Sequence, residues 1–312
     1  MSPSSLQKDP LISVLVPLYN HAAYVEECLN SIRDEDWPRL ELLVLDDGSK
    51  DDSFTRLQAW VARHGARFEN VWIASQPNQG ICKTLNKLIA AAQGDFLVIT
   101  DSDDTLVRGG IRSRFNHLQN HPEHLAVFGK TELIGDAGKA MSRIQKSHAR
   151  GIRAWRHPHL LVRNLLLNWS LAGSILMCRR QTFDAKDGFG LYDGSLACDD
   201  FDMYLRFMSR QALGFVEQTV GCYRIHDKSF CRDKNHRPPK DESYRVLARH
   251  KDHFHGVSRW IVILQMWKSE RVLYKRPHLR HIFARHAISV WRRLHYLYLF
   301  FRTLLSTPAK VH

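Results

Sequence analysis

This chain of 312 residues is poor in several features, and each scarcity removes a class of protein. Its six cysteines, Cys28, Cys82, Cys178, Cys198, Cys222 and Cys231, form no C-x-x-C pair. That argues against a zinc ribbon and a redox dithiol, and the thiols read as reduced, mostly buried small hydrophobes of a cytoplasmic protein. No run of 18 apolar residues occurs, so no segment is expected to cross a bilayer as a helix. The opening MSPSSLQKDP has no apolar core and no cleavage site, so no secretory signal is expected. Neither G-x-G-x-x-G nor G-x-x-x-x-G-K-[ST] is present, which sets aside the dinucleotide fingerprint and the P-loop. Acidic residues are nearly missing from the last fifth. Lys251 to His312 holds 12 Lys and Arg against 2 Asp and Glu, a net of +10 out of +13, leaving +3 for the first 250 residues.

What is present is globular: 44% hydrophobic and 25% charged residues, on a chain long enough for one large domain or two ordinary ones. The chain is organised around DFLVITDSDDT, Asp95 to Thr105. Phe96 to Thr100 reads as a short buried strand, and Asp101, Asp103 and Asp104 crowd its end. Three carboxylates so close repel one another unless a cation or a set of donors compensates them. Mg²⁺ and Mn²⁺ choose such oxygens and often share them with substrate phosphates. An acidic turn capping the next helix is the plainer alternative.

Before that strand, Leu11 to Leu18, Glu41 to Leu45 and Val71 to Ala74 read as strands too. Helix-period stretches follow them, near Tyr24 to Ile32, up to His64, and from Ile81 to Ala92. Strands alternating with helices predict a parallel sheet with right-handed crossovers, whose ligands sit beyond the carboxyl ends of the strands. PLYN, DDGS, PNQG and DSDD all lie at such ends.

The ordered series SVLVPLYNHAAYVEECLNSI, ELLVLDDGSKDDS and NQGICKTLNKLIAAAQGDFLVITDSDD resembles the family 2 glycosyltransferases of the GT-A fold. Further on, LAGSILMCRR resembles the family's acceptor-side strand, GFGLYDGSLACDDFDMYLRF its acidic helix start, and YRIHDKSF its Y-R-x-H-x-x-S segment. The resemblance covers about Leu11 to Phe230. It implies an α/β fold, a GT-A (Rossmann-like), mostly parallel sheet flanked by helices. It also implies inverting transfer of a hexose or hexosamine from a nucleotide sugar, usually a UDP-sugar, with Mn²⁺ or Mg²⁺. Carried over by residue, Pro17, Tyr19, Asp46 and Asp47 belong to the base pocket, and Asn78 and Gly80 lie near the ribose and pyrophosphate. Asp101 faces the ribose, Asp103 holds the metal with Asp104 close by, and His226 approaches the metal or diphosphate. Asp200 is the implied general base, with Asp199 where the family has Glu. The family's A-R-N reads Thr84-Leu85-Asn86, so Leu85 replaces an arginine. From the residues alone, Asp199 and Asp200 also suit helix capping, and His226 also suits an ordinary surface histidine.

From Ser243 onward the pattern is helical, basic and aromatic-rich. Such a segment suits peripheral contact with an anionic membrane, with packing on the catalytic domain as the alternative. Nucleic acid is not expected, because no recognition motif accompanies the charge. The expected organisation is an N-terminal tail over 1–10, a GT-A domain over 11–242, and a basic helical segment over 243–312. The expected acceptor is a hydroxyl of a cell-envelope glycan or a lipid-linked glycan, met at the inner face of the membrane. The alternative function is a catalytically inactive nucleotide-sugar binder or scaffold of the same fold.

Overall fold

Ile12–Leu18 (β1) and Leu40–Asp46 (β2) are buried along their whole length, which is why both read as continuous apolar runs rather than alternating ones. They belong to a computed structural model that describes residues 9–138, 155–168, 171, 176–186, 188–196, 199–227, 241–270 and 279–306. Between and after them come Val25–Arg33 (α1), Ser53–His64 (α2), Asn70–Ser75 (β3), Ile81–Ala91 (α3), Phe96–Ile99 (β4) and Thr105–Leu106 (β5). Gly110–Asn120 (α4), Ala126–Gly135 (β6), Pro158–Leu167 (α5), Met177–Arg179 (β7), Asp199–Ser209 (α6) and Leu213–Ile225 (β8) follow. The chain closes with Glu242–His250 (α7), Gly256–Glu270 (α8) and Leu279–Ser306 (α9).

The chain divides into two units. The first holds 1–142, 172–203 and 212–237, and so contains the whole sheet. Its strand order is β3-β2-β1-β4-β7-β6-β8-β5. β3, β2, β1 and β4 are parallel neighbours; β7 is antiparallel to both β4 and β6. β6 and β8 run parallel with register shifts between Gly129 and Thr131, and β5 pairs antiparallel to β8. The fold is thus the expected GT-A-like α/β sheet with helices beside it. Helix α1 buries Val25, Cys28, Leu29 and Ile32, the i, i+3, i+4, i+7 stripe of an amphipathic helix.

At the amino ends of the parallel strands lies a buried carboxylate. Glu41 accepts hydrogen bonds from Ser13 Oγ (2.5 Å), Asn70 Nδ2 (2.9 Å) and the Gln93 amide (2.9 Å), while Ser13 Oγ accepts from the Gly94 amide (2.9 Å). Both carboxylate oxygens that burial would otherwise penalise have a donor.

The second unit holds 143–171, 204–211 and 238–312. The LLVRNLLL stretch forms α5, with Leu160, Leu161, Leu165, Leu166 and Leu167 buried. Gln265 of α8 donates to the Leu166 carbonyl (2.7 Å), and Leu264 packs with Ala284 and Ile288 of α9. Glu270 takes Arg280 (2.7 Å) and His281 (3.3 Å). Among the described residues no helix is long and apolar enough to cross a membrane. Cys28, Cys82, Cys178 and Cys222 are in no disulfide, the first three buried; Cys198 and Cys231 lie outside the described residues, as does most of the Asp227 to Glu242 loop.

Candidate functional site

The strand order reverses direction between β1 and β4, and in open α/β sheets the crevice at such a switch point takes the ligand. The loops leaving these two strands carry His21 on one side and Asp101 to Asp104 on the other. The acidic turn closes on itself through the Asp104 amide and the Asp101 carbonyl (3.1 Å). It runs into β5, and α4 starts only at Gly110 with Gly109 as its N-cap, so the acidic turn caps no helix.

Asp103 is the centre of the cluster. His226, just beyond β8, donates from Nε2 to Asp103 Oδ2 at 3.0 Å. His21 Nε2 stands 3.7 Å from the same oxygen, and its Nδ1 shares a 2.8 Å hydrogen bond with Ser102 Oγ. One ligand atom from each of His21, Asp103 and His226 lies within 4.8 Å of the other two, and the same holds for Asp101, Asp103 and Asp104. Burial alone would raise the Asp103 carboxyl, but the His226 hydrogen bond and the charge of His21 hold it below its ordinary value. Burial drives Asp104 well above its usual range, and the charges of Asp103 and Asp101 add to that. Burial also lowers the His21 imidazole, against the pull of Asp103. The lowered imidazole of His21, a second imidazole at His226 and three crowded carboxyl groups are a donor set that fits a divalent cation.

Arg224 fixes this arrangement from below. Its backbone amide donates to Asp104 Oδ1 (2.8 Å) and its Nε to the Asp103 carbonyl (2.8 Å). The rest of the buried guanidinium reaches the carbonyls of Gly135 (3.3 Å) and Asp136 (3.1 Å) and the Glu27 carboxylate (2.7 Å). Tyr24 lies against it, ring centroid 5.1 Å from the guanidinium, and donates its hydroxyl to Asp136. Burial and that acidic partner push the Tyr24 phenol up to about 12.

A second group forms where β2 ends. Asp47 accepts from the Gln79 amide (2.8 Å), the Gly80 amide (2.9 Å) and Gln76 Nε2 (2.8 Å), so its carboxylate shapes the PNQG loop. Asp46 accepts from Ser75 Oγ (2.7 Å) and from the Ser49 amide. Gly48 has φ +78°, and a Cβ there would meet the Asn78 nitrogen at 2.9 Å, so only glycine fits the turn. Pro17 is buried in β1 opposite Leu45, whereas Tyr19, Asn78 and Gly80 are exposed. Gly80 is the exposed N-cap of α3, whose first turn buries Cys82 and Thr84.

Asp199 and Asp200 open α6, with Asp200 exposed. Leu85 is buried on the inner side of α3, and Asn86 exchanges two 2.9 Å hydrogen bonds with the Tyr192 backbone. Sequence reasoning missed His21, Tyr24, Glu27 and Arg224. Only their position in NHAAYVEE and YRIH, flanking two strand ends, hinted at them.

This sheet, with an Asp-x-Asp turn at its switch point, has the GT-A architecture. The profile of glycosyl transferase family 2 matches residues 13–183, more than half of the chain. The chain belongs to that family and is a glycosyltransferase. An uncharacterized Mycobacterium tuberculosis (strain CDC 1551 / Oshkosh) protein, MT1568, is 30% identical over 222 residues, 69% of this chain and 67% of the relative. Among solved structures, S. aureus TarS residues 1–349 in complex with UDP-GlcNAc superposes with a TM-score of 0.64 at 15% identity, covering 88% of this chain and 79% of that one. Mannosyltransferase PcManGT from Pyrobaculum calidifontis, in complex with GDP-Man and Mn²⁺, gives a TM-score of 0.56 at 16% identity, covering 97% and 77%. At these identities the two structures speak for the fold.

Proposed function

We propose that this glycosyltransferase moves a hexose or hexosamine, with inversion, from a UDP-sugar to a hydroxyl of a cell-envelope or lipid-linked glycan, and that it needs Mn²⁺ or Mg²⁺. The observation that carries the reading is Asp103, held 3.0 Å from His226 and 3.7 Å from His21 within reach of Asp101 and Asp104. Asp103, Asp104 and His226 would hold the ion. A cation bound there supplies Lewis-acid neutralisation of the departing diphosphate. Pro17, Tyr19, Asp46 and Asp47 serve the base, Asn78 and Gly80 the ribose and pyrophosphate, and Asp101 the ribose. Solved neighbours of this fold hold UDP-GlcNAc (TarS) and GDP-Man (PcManGT); the UDP-sugar reading follows the family resemblance and is tested against GDP-sugars below.

Asp200 accepts the proton of the acceptor hydroxyl as its oxygen attacks the anomeric carbon opposite the leaving diphosphate; that in-line geometry inverts the centre. Asp199 raises the basicity of its neighbour. The reading of an inactive binder is not favoured, since the metal-holding set and the exposed carboxylate are all in the chain.

The catalytic part is assigned to 11–242, and the basic segment over 243–312 to the membrane surface on the cytoplasmic side. Helix α9 exposes Ile282, Phe283, Val290 and Leu294 beside the exposed Arg285 and Arg293, while Ala284 and Ile288 are buried. Apolar side chains for the acyl boundary and cations for headgroups are what an interfacial helix requires.

The test is UDP release from a panel of UDP-hexoses and UDP-hexosamines by chelator-treated protein. Turnover restored by Mn²⁺ or Mg²⁺ is the expected result. Equal turnover in excess chelator overturns the metal assignment, and turnover with GDP-sugars alone overturns the donor.

A further inference from the structure

A second cluster of ligating side chains stands at the carboxyl end of α4, on residues that the transferase reading does not use. His117 lies on the last turn of α4, His121 follows the helix, and Glu123 and His124 complete an H-x₃-H-x-E-H run before β6. The turn is closed by the His124 amide on the His121 carbonyl (3.0 Å). His121 Nδ1 stands 3.0 Å from Glu123 Oε1, and His124 Nε2 stands 3.9 Å from the same oxygen. One ligand atom from each of the three lies within 4.8 Å of the other two. Ligands at about 2.0–2.1 Å from a tetrahedral Zn²⁺ stand about 3.3 Å from one another, so small side-chain rotations complete the geometry. His121 and Glu123 side chains are 45% and 59% exposed and His124 11%, which leaves the outer side open for a water.

The inner side of the cluster is built. His124 Nδ1 is 2.9 Å from His117 Nε2, the two rings parallel and edge to edge with an interplanar angle of 2°. A metal-bound histidine usually donates its other nitrogen to a fixed acceptor, which sets its tautomer and orientation. Gly214 of β8 makes room for that pair: a Cβ there would meet His117 Nε2 at 2.1 Å and His124 Nδ1 at 2.8 Å. Arg179 holds the His124 carbonyl from β7 (3.2 Å).

We infer that His121, Glu123 and His124 form a Zn²⁺ site, with His117 as the residue that orients His124. Two imidazoles and one carboxylate favour a late first-row divalent ion over Mg²⁺ or Ca²⁺. Bound there, the ion ties the end of α4 to the start of β6.

The experiment is a calorimetric titration of chelator-stripped full-length protein with ZnCl₂, in wild type, His121→Ala/Glu123→Ala, His117→Ala and Asp103→Ala. The Asp103 cluster is a second place for Zn²⁺, so stoichiometry is read site by site. Expected are loss of one equivalent in the His121→Ala/Glu123→Ala protein, its retention in Asp103→Ala, and about 10–100-fold weaker binding in His117→Ala. The wild-type melting temperature should also rise with ZnCl₂ in the Asp103→Ala background. His121 and Glu123 are exposed, so the double variant should melt like wild type in chelator. Equal stoichiometry in wild type and the double variant, or no Zn²⁺ bound by Asp103→Ala, overturns the site.

Discussion

His226 Nε2 lies 3.0 Å from Asp103 Oδ2, across 123 residues of chain. The pair joins the loop after β4 to the end of β8, and it is the contact on which the reading of this transferase turns. Asp103→Ala should abolish cation-dependent binding of UDP, because the diphosphate would lose its bridging ion. Calorimetry with and without Mn²⁺ checks this; UDP held equally well by the variant refutes the assignment.

Asp200→Asn keeps size and helix-capping ability but removes the proton acceptor. Transfer at saturating donor should fall on the order of 10²–10⁴-fold while UDP affinity stays near normal. Asp199→Asn should be milder. Near-full turnover in Asp200→Asn would leave the residue as a helix cap.

Arg224→Met should both destabilise the protein and weaken the metal. It removes the donor from three backbone carbonyls, those of Asp103, Gly135 and Asp136. A buried acceptor left without its donor costs about 1–3 kcal/mol, so a loss on the order of 3 kcal/mol is expected in urea unfolding. A variant as stable as wild type would show that water replaces the guanidinium.

The membrane assignment predicts that Phe283→Glu/Leu294→Glu co-sediments less with phosphatidylserine vesicles, and that 0.5 M salt weakens wild-type binding by screening to about 4 Å. Binding that is indifferent to both would assign this face elsewhere.

Burial, aided by His124 and His121, holds His117 at about 4 against an ordinary 6.5. The unfolded chain therefore binds a proton that the folded one refuses between these values. Stability from this group is complete above about 6.5 and declines as pH falls towards about 4. Melting temperatures in chelator should show that decline in wild type and a flatter profile in His117→Asn.

Much of the first half was legible in the sequence. Buried parallel strands announce themselves as unbroken apolar runs, and β1 to β4 fell within two residues of their expected bounds. The partners of Asp103 were half legible: His226 through YRIH, but not His21, because a histidine in a loop carries no signal until the opposite loop is placed. β6 and β8 escaped notice. AVFGKTELIG and LGFVEQTVGCYRI mix buried and exposed positions around a register shift, so neither keeps a clean period of two. Asp47 shows a different limit. The family resemblance implied base recognition and said nothing of the three donors its carboxylate accepts, Gln76 Nε2 and the Gln79 and Gly80 amides of the PNQG loop, a relation that only folded proximity creates.

Glu41 lies at the end of the sheet remote from all this chemistry, yet it sets the datum from which the active loops are measured. One carboxylate binds side chains of β1 and β3 and the turn that leads into β4. A slip of one parallel strand by a residue pair keeps each side chain on its face yet would displace a loop at the far end by about 6–7 Å. With the near ends indexed to a single group, the lengths of β1, β2 and β4 alone decide where His21, Asp47 and Asp103 stop. Insertion of two residues within any one of these strands would therefore be felt at the rim that carries these three side chains rather than absorbed at the base.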